Sequence, residues 1–297
     1  MADLGKEFCR FHDRIALTND QKSILLAIRD AIRERIRGYF RYRLRVAPPD
    51  FRSQGLFAMD TIVNPVDNVY RIDDGVGLQH LDKQNSGSWP AVATVHQWIS
   101  DAVGGHACEK PMDQRTCISI LFAEKYRVNL YAYGKLNGQY LLATGGEAKW
   151  LDSDPPAFII WFRSYVYQRG EQLRRMVRYL LAWADNQSMN HGRIADGMIL
   201  TVLATQHFHG NRRDDLALAR TMEAISNTVR SDFFILNPVK ISEELTACLS
   251  TPQKIRLNDA IQAFADIANG AIAIENNYKA SKLWRKQFGD RFPIATL

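Results

Sequence analysis

Between residues 19 and 45 an apolar side chain returns at every fourth position: Ile24, Ile28, Ile32, Ile36, Phe40 and Leu44. That spacing puts them on one stripe of an α-helix. Thr18 or Asn19 supplies an N-cap, and Ala47-Pro48-Pro49 ends the run. A helix this long needs a body to lie along, so it is expected to act as a spine for whatever follows. A second ridge runs beside the first: Arg29, Arg33, Arg37, Arg41 and Arg45. Two readings fit it. It is a solvated face with Asp30 and Glu34 among its ion-pair partners, or a nucleic-acid contact through Arg29, Arg33, Arg37 and Arg41. The formal net charge of +6 permits an anionic partner without requiring one.

The 297 residues change character twice. From 50 to 150 the chain shows short runs of β-branched and aromatic residues at Thr61–Val63, Cys117–Phe122, Tyr126–Tyr133 and Gln139–Ala143. Asn137-Gly138 is a hairpin turn, and a helix is expected near Val92–Val103. From Pro155 onward the periodicity is helical, with segments near 155–168, 170–187, 194–206, 214–229, 252–273 and 275–287. The turn Asp152-Ser153-Asp154-Pro155-Pro156 marks the change. The expected fold is α+β: an antiparallel-rich lobe with the spine helix over 1–152, and an all-helical lobe over 153–297. A cleft between two such lobes is a common place for a site.

Cys9, Cys108, Cys117 and Cys248 form no CxxC pair and have no histidine at zinc-ligand spacing, so reduced thiols are expected and a structural zinc is not. His207 and His209 end a helix before Gly210, where C-capping accounts for them, and His106 and His191 stand alone. Gly75-Val76-Gly77 and Gly145-Gly146 are strand ends or turns. Asp3, Glu7 and Asp13 leave no room for a secretory h-region, and no apolar run spans a bilayer. A cytoplasmic location with no membrane partner is the expectation.

The segment Gln54-Gly55-Leu56-Phe57-Ala58-Met59-Asp60-Thr61-Ile62-Val63-Asn64-Pro65, followed by Tyr70-Arg71-Ile72-Asp73-Asp74-Gly75-Val76, carries more information. It resembles the signature of the bacterial cGAS/DncV-like nucleotidyltransferases (CD-NTases). There a Gly-Ser turn opens a short helix, the next strand carries Asp-x-Asp, and a later strand adds a third Asp. Arg127-Val128-Asn129-Leu130-Tyr131 stands at that third place. Ser153–Phe162, Leu173–Trp183, Arg213–Leu218, Asn237–Val239 and Phe288–Pro293 continue the likeness to about residue 293. The resemblance implies a polymerase-β-like nucleotidyltransferase lobe with a helical C-terminal lobe.

The family's chemistry clamps a triphosphate with two Mg²⁺ ions on three carboxylates, and Mg²⁺ demands hard anionic oxygens. By the resemblance, Leu56 replaces the serine after Gly55, Arg71 replaces the first carboxylate, and Asn129 the third. Only Asp73 remains, since Asp74 points to the other face of its strand. Asp60 stands where a glycine is usual, Leu181 and Ala184 where lysines are usual, and Asp196 where a phosphate-binding serine is usual. Arg71 would repel Mg²⁺ by on the order of several kcal/mol at an intermediate dielectric. No cofactor is therefore expected, with Mg²⁺ entering only if the chain is active after all. Arg71 pairs with Asp73, Asp60 or Asp196 and plugs the site, or it holds a phosphate in a metal's place.

Three functions follow. The chain is a pseudo-nucleotidyltransferase that partners or regulates another protein of an anti-phage signalling operon. It is a sensor binding a nucleotide or cyclic oligonucleotide in the interlobe cleft, through Gly55, Leu56, Arg71 and Asp196. Or it is an active synthase of cyclic oligonucleotides with unrecognised metal ligands.

Overall fold

The computed structural model describes residues 2–105, 109–145, 149–192 and 194–296. His106, Cys108, Gly146 and the side chain of His191 lie outside the described residues.

In chain order the elements are α1 (Gly5–Ile15), α2 (Asn19–Tyr39), β1 (Asp50–Gln54), α3 (Gly55–Ala58), β2 (Tyr70–Gly77) and α4 (Val92–Val103). Next come β3 (Met112–Asp113), β4 (Ile118–Phe122), β5 (Tyr126–Leu136), β6 (Gln139–Thr144) and β7 (Lys149–Asp152). The rest is α5 (Pro155–Arg169), α6 (Glu171–His191), α7 (Gly197–Gln206), α8 (Asp214–Ser231), the pair β8 (Leu236–Asn237) and β9 (Lys240–Glu244), α9 (Thr251–Ala273) and α10 (Asn277–Phe288). The class is α+β, as the sequence implies. None of the helices, among the described residues, is long and apolar enough to cross a membrane.

Contacts divide the chain into two units, and not by one cut at 152/153. Residues 17–59 and 67–159 form one; residues 1–16, 60–66 and 160–297 form the other.

The first unit is built on a seven-stranded sheet in which β1, β2, β5, β4 and β3 are neighbours and β6 and β7 continue from the far end of β5. Among the described residues of this sheet only β2 and β5 run parallel. Strand β5 reads Tyr-Arg-Val-Asn-Leu-Tyr-Ala, so Val128, Leu130 and Ala132 turn into the core while Arg127, Asn129 and Tyr131 share the opposite face. The hairpin from β5 to β6 turns on Asn137 and Gly138, both at positive φ. On α2, Thr18 and Gln21 form a reciprocal capping box, and Leu25, Ile32 and Ile36 are buried. Ile24, placed on the apolar stripe by the four-residue spacing, is 43% exposed, because a 3.6-residue turn drifts off a strict repeat of four. The helix ends in a π-helical turn, Phe40–Leu44, closed by Arg45 at φ 58°.

The second unit has an aromatic core. Phe8 and Phe11 of α1 pack against Tyr179, Phe288 and Phe292, with centroids 4.4 to 6.5 Å apart. Trp183 and Trp284 join through Phe264. Tyr179 donates to Asp214 at 2.8 Å, and Arg175 pairs with the same carboxylate at 2.7 Å. Burial raises the Tyr179 hydroxyl and the Asp214 charge adds to it, so it stays a donor. Thr61–Val63 is not a strand. Val63 makes one isolated bridge to Ala16, and the Asn64 amide ties the segment to the Arg14 and Ala16 carbonyls.

Candidate functional site

The parallel register sets Arg71 beside Arg127 and Asp73 beside Asn129 on β2 and β5. Gln54 of β1 and Ser119 of β4 fall in the same row as Asp73 and Asn129. Alternation puts all of these side chains on one face of the sheet. A directed chain of hydrogen bonds crosses that face. Arg127 Nη1 donates to Ser119 Oγ at 3.2 Å, and Ser119 donates to Asn129 Oδ1 at 2.9 Å. Asn129 Nδ2 then donates to Asp73 Oδ1 at 2.9 Å. Tyr131 OH reaches the same oxygen at 3.4 Å. The other Asp73 oxygen lies against Gly55, which has φ 65° and no space for a Cβ. Leu56 follows in the first turn of α3, half-buried.

Among the described residues, the donors of this row do not fit a pair of Mg²⁺ ions. An amide can offer its oxygen to a metal, but Asn129 uses that oxygen on Ser119 and its nitrogen on Asp73. Asp73 is the one carboxylate in the row. Arg71, by the same register, has a guanidinium for its neighbour. Among the described residues no group of three His, Cys, Asp or Glu side chains could hold a metal ion.

Arg71 pairs with none of the three partners that the sequence suggests. Its guanidinium folds back on the turn before β2, with Nη2 2.6 Å from Asp67 Oδ2 and Nη1 donating to the Val69 carbonyl at 2.7 Å. The Asp67 side chain also accepts from the Val69 amide at 2.9 Å, so the turn itself holds the carboxylate in place for Arg71. Partial burial pushes the Asp67 carboxyl up, but the Arg71 and Val69 hydrogen bonds outweigh it and hold it below the ordinary carboxylate range. Asp60 belongs to the helical unit, where Arg178 binds it at 3.0 Å and Arg174 stands 3.9 Å away. Asp196 caps α7, accepting from the Met198 amide at 2.8 Å. Leu181 and Ala184 are buried in α6 and serve packing.

The opposite face of β2 is different. Asp74 is fully buried, and Arg33 of α2 grips it with Nε at 2.6 Å and Nη2 at 2.5 Å. Arg29 donates to Ser53 at 2.8 Å and pairs with Asp30 at 2.7 Å. Arg37 pairs with Glu34 and stacks over Phe51, and Arg41 stands over Tyr42. Arg29 and Arg33 are thus turned into the protein, with side chains 16% and 14% exposed.

Ser119, Tyr131 and Asp67 received no role from the sequence. Ser119 and Tyr131 had a readable signal, since strand alternation around Asn129 selects them, but their hydrogen bonds depend on the pairing of β4 with β5. Cys117 shares the buried surroundings of this row. Burial and the Asp73 charge push its thiol up to about 11, so it remains protonated.

Comparison with known proteins places this geometry. Residues 49–133 match the family described as "Cyclic GMP-AMP synthase DncV-like, nucleotidyltransferase domain". The chain is 27% identical over 213 residues to a cyclic GMP-AMP synthase of Escherichia albertii, an alignment that covers 68% of this chain and 46% of that protein. Its likeness to the Vibrio cholerae cyclic GMP-AMP synthase is 25% over 152 residues, covering 49% of this chain and 34% of that one. The chain therefore spans less than half the length of these curated relatives. In fold it is similar to the crystal structure of the Vibrio cholerae DncV cyclic AMP-GMP synthase, with a TM-score of 0.81 at 17% identity over 99% of this chain and 98% of that one. It is also similar to the crystal structure of that enzyme in complex with nonhydrolyzable GTP, with a TM-score of 0.81 at 19% identity over 100% of both chains. Residues 49–133 thus carry a nucleotidyltransferase domain of the bacterial cGAS/DncV-like kind.

Proposed function

We propose that this chain is a catalytically degenerate member of its family. Its role is to bind and regulate another component of a cytoplasmic anti-phage system (CBASS) that signals with cyclic oligonucleotides. The observation that carries the reading is the 2.9 Å hydrogen bond from Asn129 to Asp73. A metal site needs two anionic oxygens to converge on a cation. Here an N–H group points at the surviving carboxylate and supplies the positive end of a dipole. Asn129 and Tyr131 thus both turn donors toward Asp73 Oδ1, where a metal site would bring a second anionic oxygen.

The test is incubation of the purified chain with the four labelled nucleoside triphosphates and Mg²⁺ or Mn²⁺, beside the variant Arg71→Asp/Asn129→Asp. The native chain is expected to give no product. A cyclic or linear oligonucleotide that disappears in Asp73→Ala would refute degeneracy and establish an active synthase. The partner role is checked by co-purification from cells carrying the native operon; recovery of the chain alone would count against it.

A second reading has its own support. Arg71 and Arg127 stand side by side on the sheet face, and Arg71 is half exposed. Two guanidiniums suit a phosphate without a metal. On this reading the face is a sensor for a nucleotide or cyclic oligonucleotide. Calorimetry against nucleoside triphosphates and cyclic di- and trinucleotides decides it, with loss of binding in Arg71→Ala as the expected signature.

A further inference from the structure

The sheet-bearing unit holds a cavity of about 330 Å³ that the Asp73 row does not touch. Leu44 and Val46, beyond the end of α2, form one wall. His80 and Asp82, Trp89, and Trp98 of α4 form the others. The walls are braced. Phe40, His80 and Trp98 stand ring against ring, with centroids 5.8 to 6.1 Å apart. Trp89 donates its indole N–H to the Asp82 carbonyl at 2.6 Å, crosses Trp150 edge to face at 4.8 Å, and lies on Gly134, where a Cβ would run into its ring.

Both ring nitrogens of His80 are buried and have no hydrogen-bond partner among the described residues. Leaving a buried polar atom unpaired is costly, so two on one ring call for a ligand or ordered solvent. Burial pulls His80 below its ordinary range, which keeps the imidazole neutral, with one donor and one acceptor. Asp82 adds an acceptor. Its Oδ1 takes the amides of Gln84 and Asn85, at 2.8 and 3.3 Å, and its second oxygen has no partner among the described residues. Aromatic faces with a donor and acceptors beside them complement a flat heteroaromatic ring that carries an amino group next to a ring nitrogen.

The chain around Leu44 and Val46 is strongly cationic. Arg41, Arg43 and Arg45 are exposed. Among the described residues none of the three has an acidic partner, and Arg41 stands over the Tyr42 ring. They are carried by the π-helical turn and its left-handed closing residue, a local geometry enriched at functional sites. Arginine suits phosphate oxygens. The Asp82 charge sets polarity: it favours the amino edge of a base and repels a phosphate, which is left to the arginines.

We infer that this cavity binds a nucleotide with an amino-bearing base, the base against Trp98, His80 and Asp82 and the phosphate on Arg43 and Arg45. The site is separate from the Asp73 face and does not depend on whether that face is catalytic.

The probes are AMP, adenosine, ribose 5-phosphate and UMP, titrated into the full chain at low salt, with tryptophan fluorescence and calorimetry as readouts. AMP is expected to quench saturably and to bind roughly tenfold or more tightly than adenosine or ribose 5-phosphate, from the loss of a charge-assisted contact or of the base. UMP, whose base lacks the amino group, is expected to bind more weakly than AMP. Arg43→Glu/Arg45→Glu should remove the difference between AMP and adenosine, and His80→Leu should weaken both. Because His80 also packs the wall, the exposed arginine pair carries the decision. No AMP binding, AMP binding indifferent to residues 43 and 45, or AMP binding lost in Arg71→Ala would each overturn the inference.

Discussion

The two faces of strand β2 treat neighbouring carboxylates in opposite ways. Asp74 is fully buried and is matched by a full positive charge, the bidentate Arg33. Asp73, one residue earlier, is half-buried and has dipoles among its partners, the Asn129 amide and the Tyr131 hydroxyl. A charge in a dry interior needs a countercharge, and removing it leaves a large penalty. A carboxylate nearer solvent is satisfied by neutral donors. The first arrangement therefore supports the fold, and the second decides what the face can bind.

The comparison breaks most sharply at Arg33. In Arg33→Ala, Asp74 stays buried without a partner, and the variant should lose about 3–5 kcal/mol of stability at neutral pH. Burial already raises the Asp74 carboxyl above its ordinary value, and Arg33 opposes that. Without Arg33 the rise is larger. Stability tied to a raised carboxyl is present below the unfolded value and lost as pH rises through the folded one. The deficit of Arg33→Ala should consequently shrink on acidification from pH 7 towards pH 4.5, as followed by urea unfolding. An equal deficit at both pH values would mean that Arg33 acts through packing over Phe51, 5.4 Å from its guanidinium, and not through charge.

Next in size is Asn129→Asp. The substitution removes the donor to Asp73 and sets two carboxylates side by side. A loss of about 1–3 kcal/mol is expected without metal, from the broken hydrogen bond and the like-charge contact. Millimolar Mn²⁺ should restore part of it, seen as a rise in Tm that the native chain does not show. A variant as stable as the native chain without metal would show that the amide is not what holds Asp73.

These two residues also show what was legible in the sequence. Asp74 and Asp73 fall on opposite faces by strand alternation alone. The hairpin at Asn137-Gly138 and the helix Val92–Val103 were equally readable, since each rests on local chemistry. The partners were not. Arg33 lies forty-one residues from Asp74 and reads as one tooth of an exposed ridge. Strand β1, Asp-Phe-Arg-Ser-Gln, has no β-branched residue and forms because β2 offers it an edge. Helix α1 has no side-chain cap to announce it, and is held by the aromatic core around Phe8 and Phe11. Arg71 pairs by local turn chemistry with Asp67, which a search for distant partners overlooks.

A smaller effect is expected at His80, where polar atoms are left open instead of closed. Burial holds this histidine below its ordinary value of 6.5. A depressed folded value contributes stability that is present above about pH 6.5 and lost as pH falls through the folded value. The native chain should lose stability between pH 7.5 and pH 5.5, with His12 and His207, also depressed by burial, sharing in it. In His80→Leu that slope should flatten by a fraction of about 1 kcal/mol, measured as Tm against pH. An unchanged slope would show that the ring nitrogens are already satisfied by water.

The smallest effect belongs to Arg71, and it makes the comparison between the faces quantitative. Arg71 with Asp67 and Arg33 with Asp74 are both arginine–aspartate pairs, 2.6 and 2.5 Å apart at their shortest. They differ in exposure: 49% and 42% for the first pair, 14% and 1% for the second. Solvent screens the exposed pair, so Arg71→Ala should cost no more than about 1 kcal/mol and should cost less as salt is raised. Arg33→Ala should keep its deficit in salt, because a dry pair is poorly screened. If Arg71→Ala instead matched Arg33→Ala in size, Arg71 would have to brace the start of β2, and the Asp73 face could not be altered without loss of the fold. If it is small, Arg71 is free to be changed by selection while the sheet beneath it stays intact.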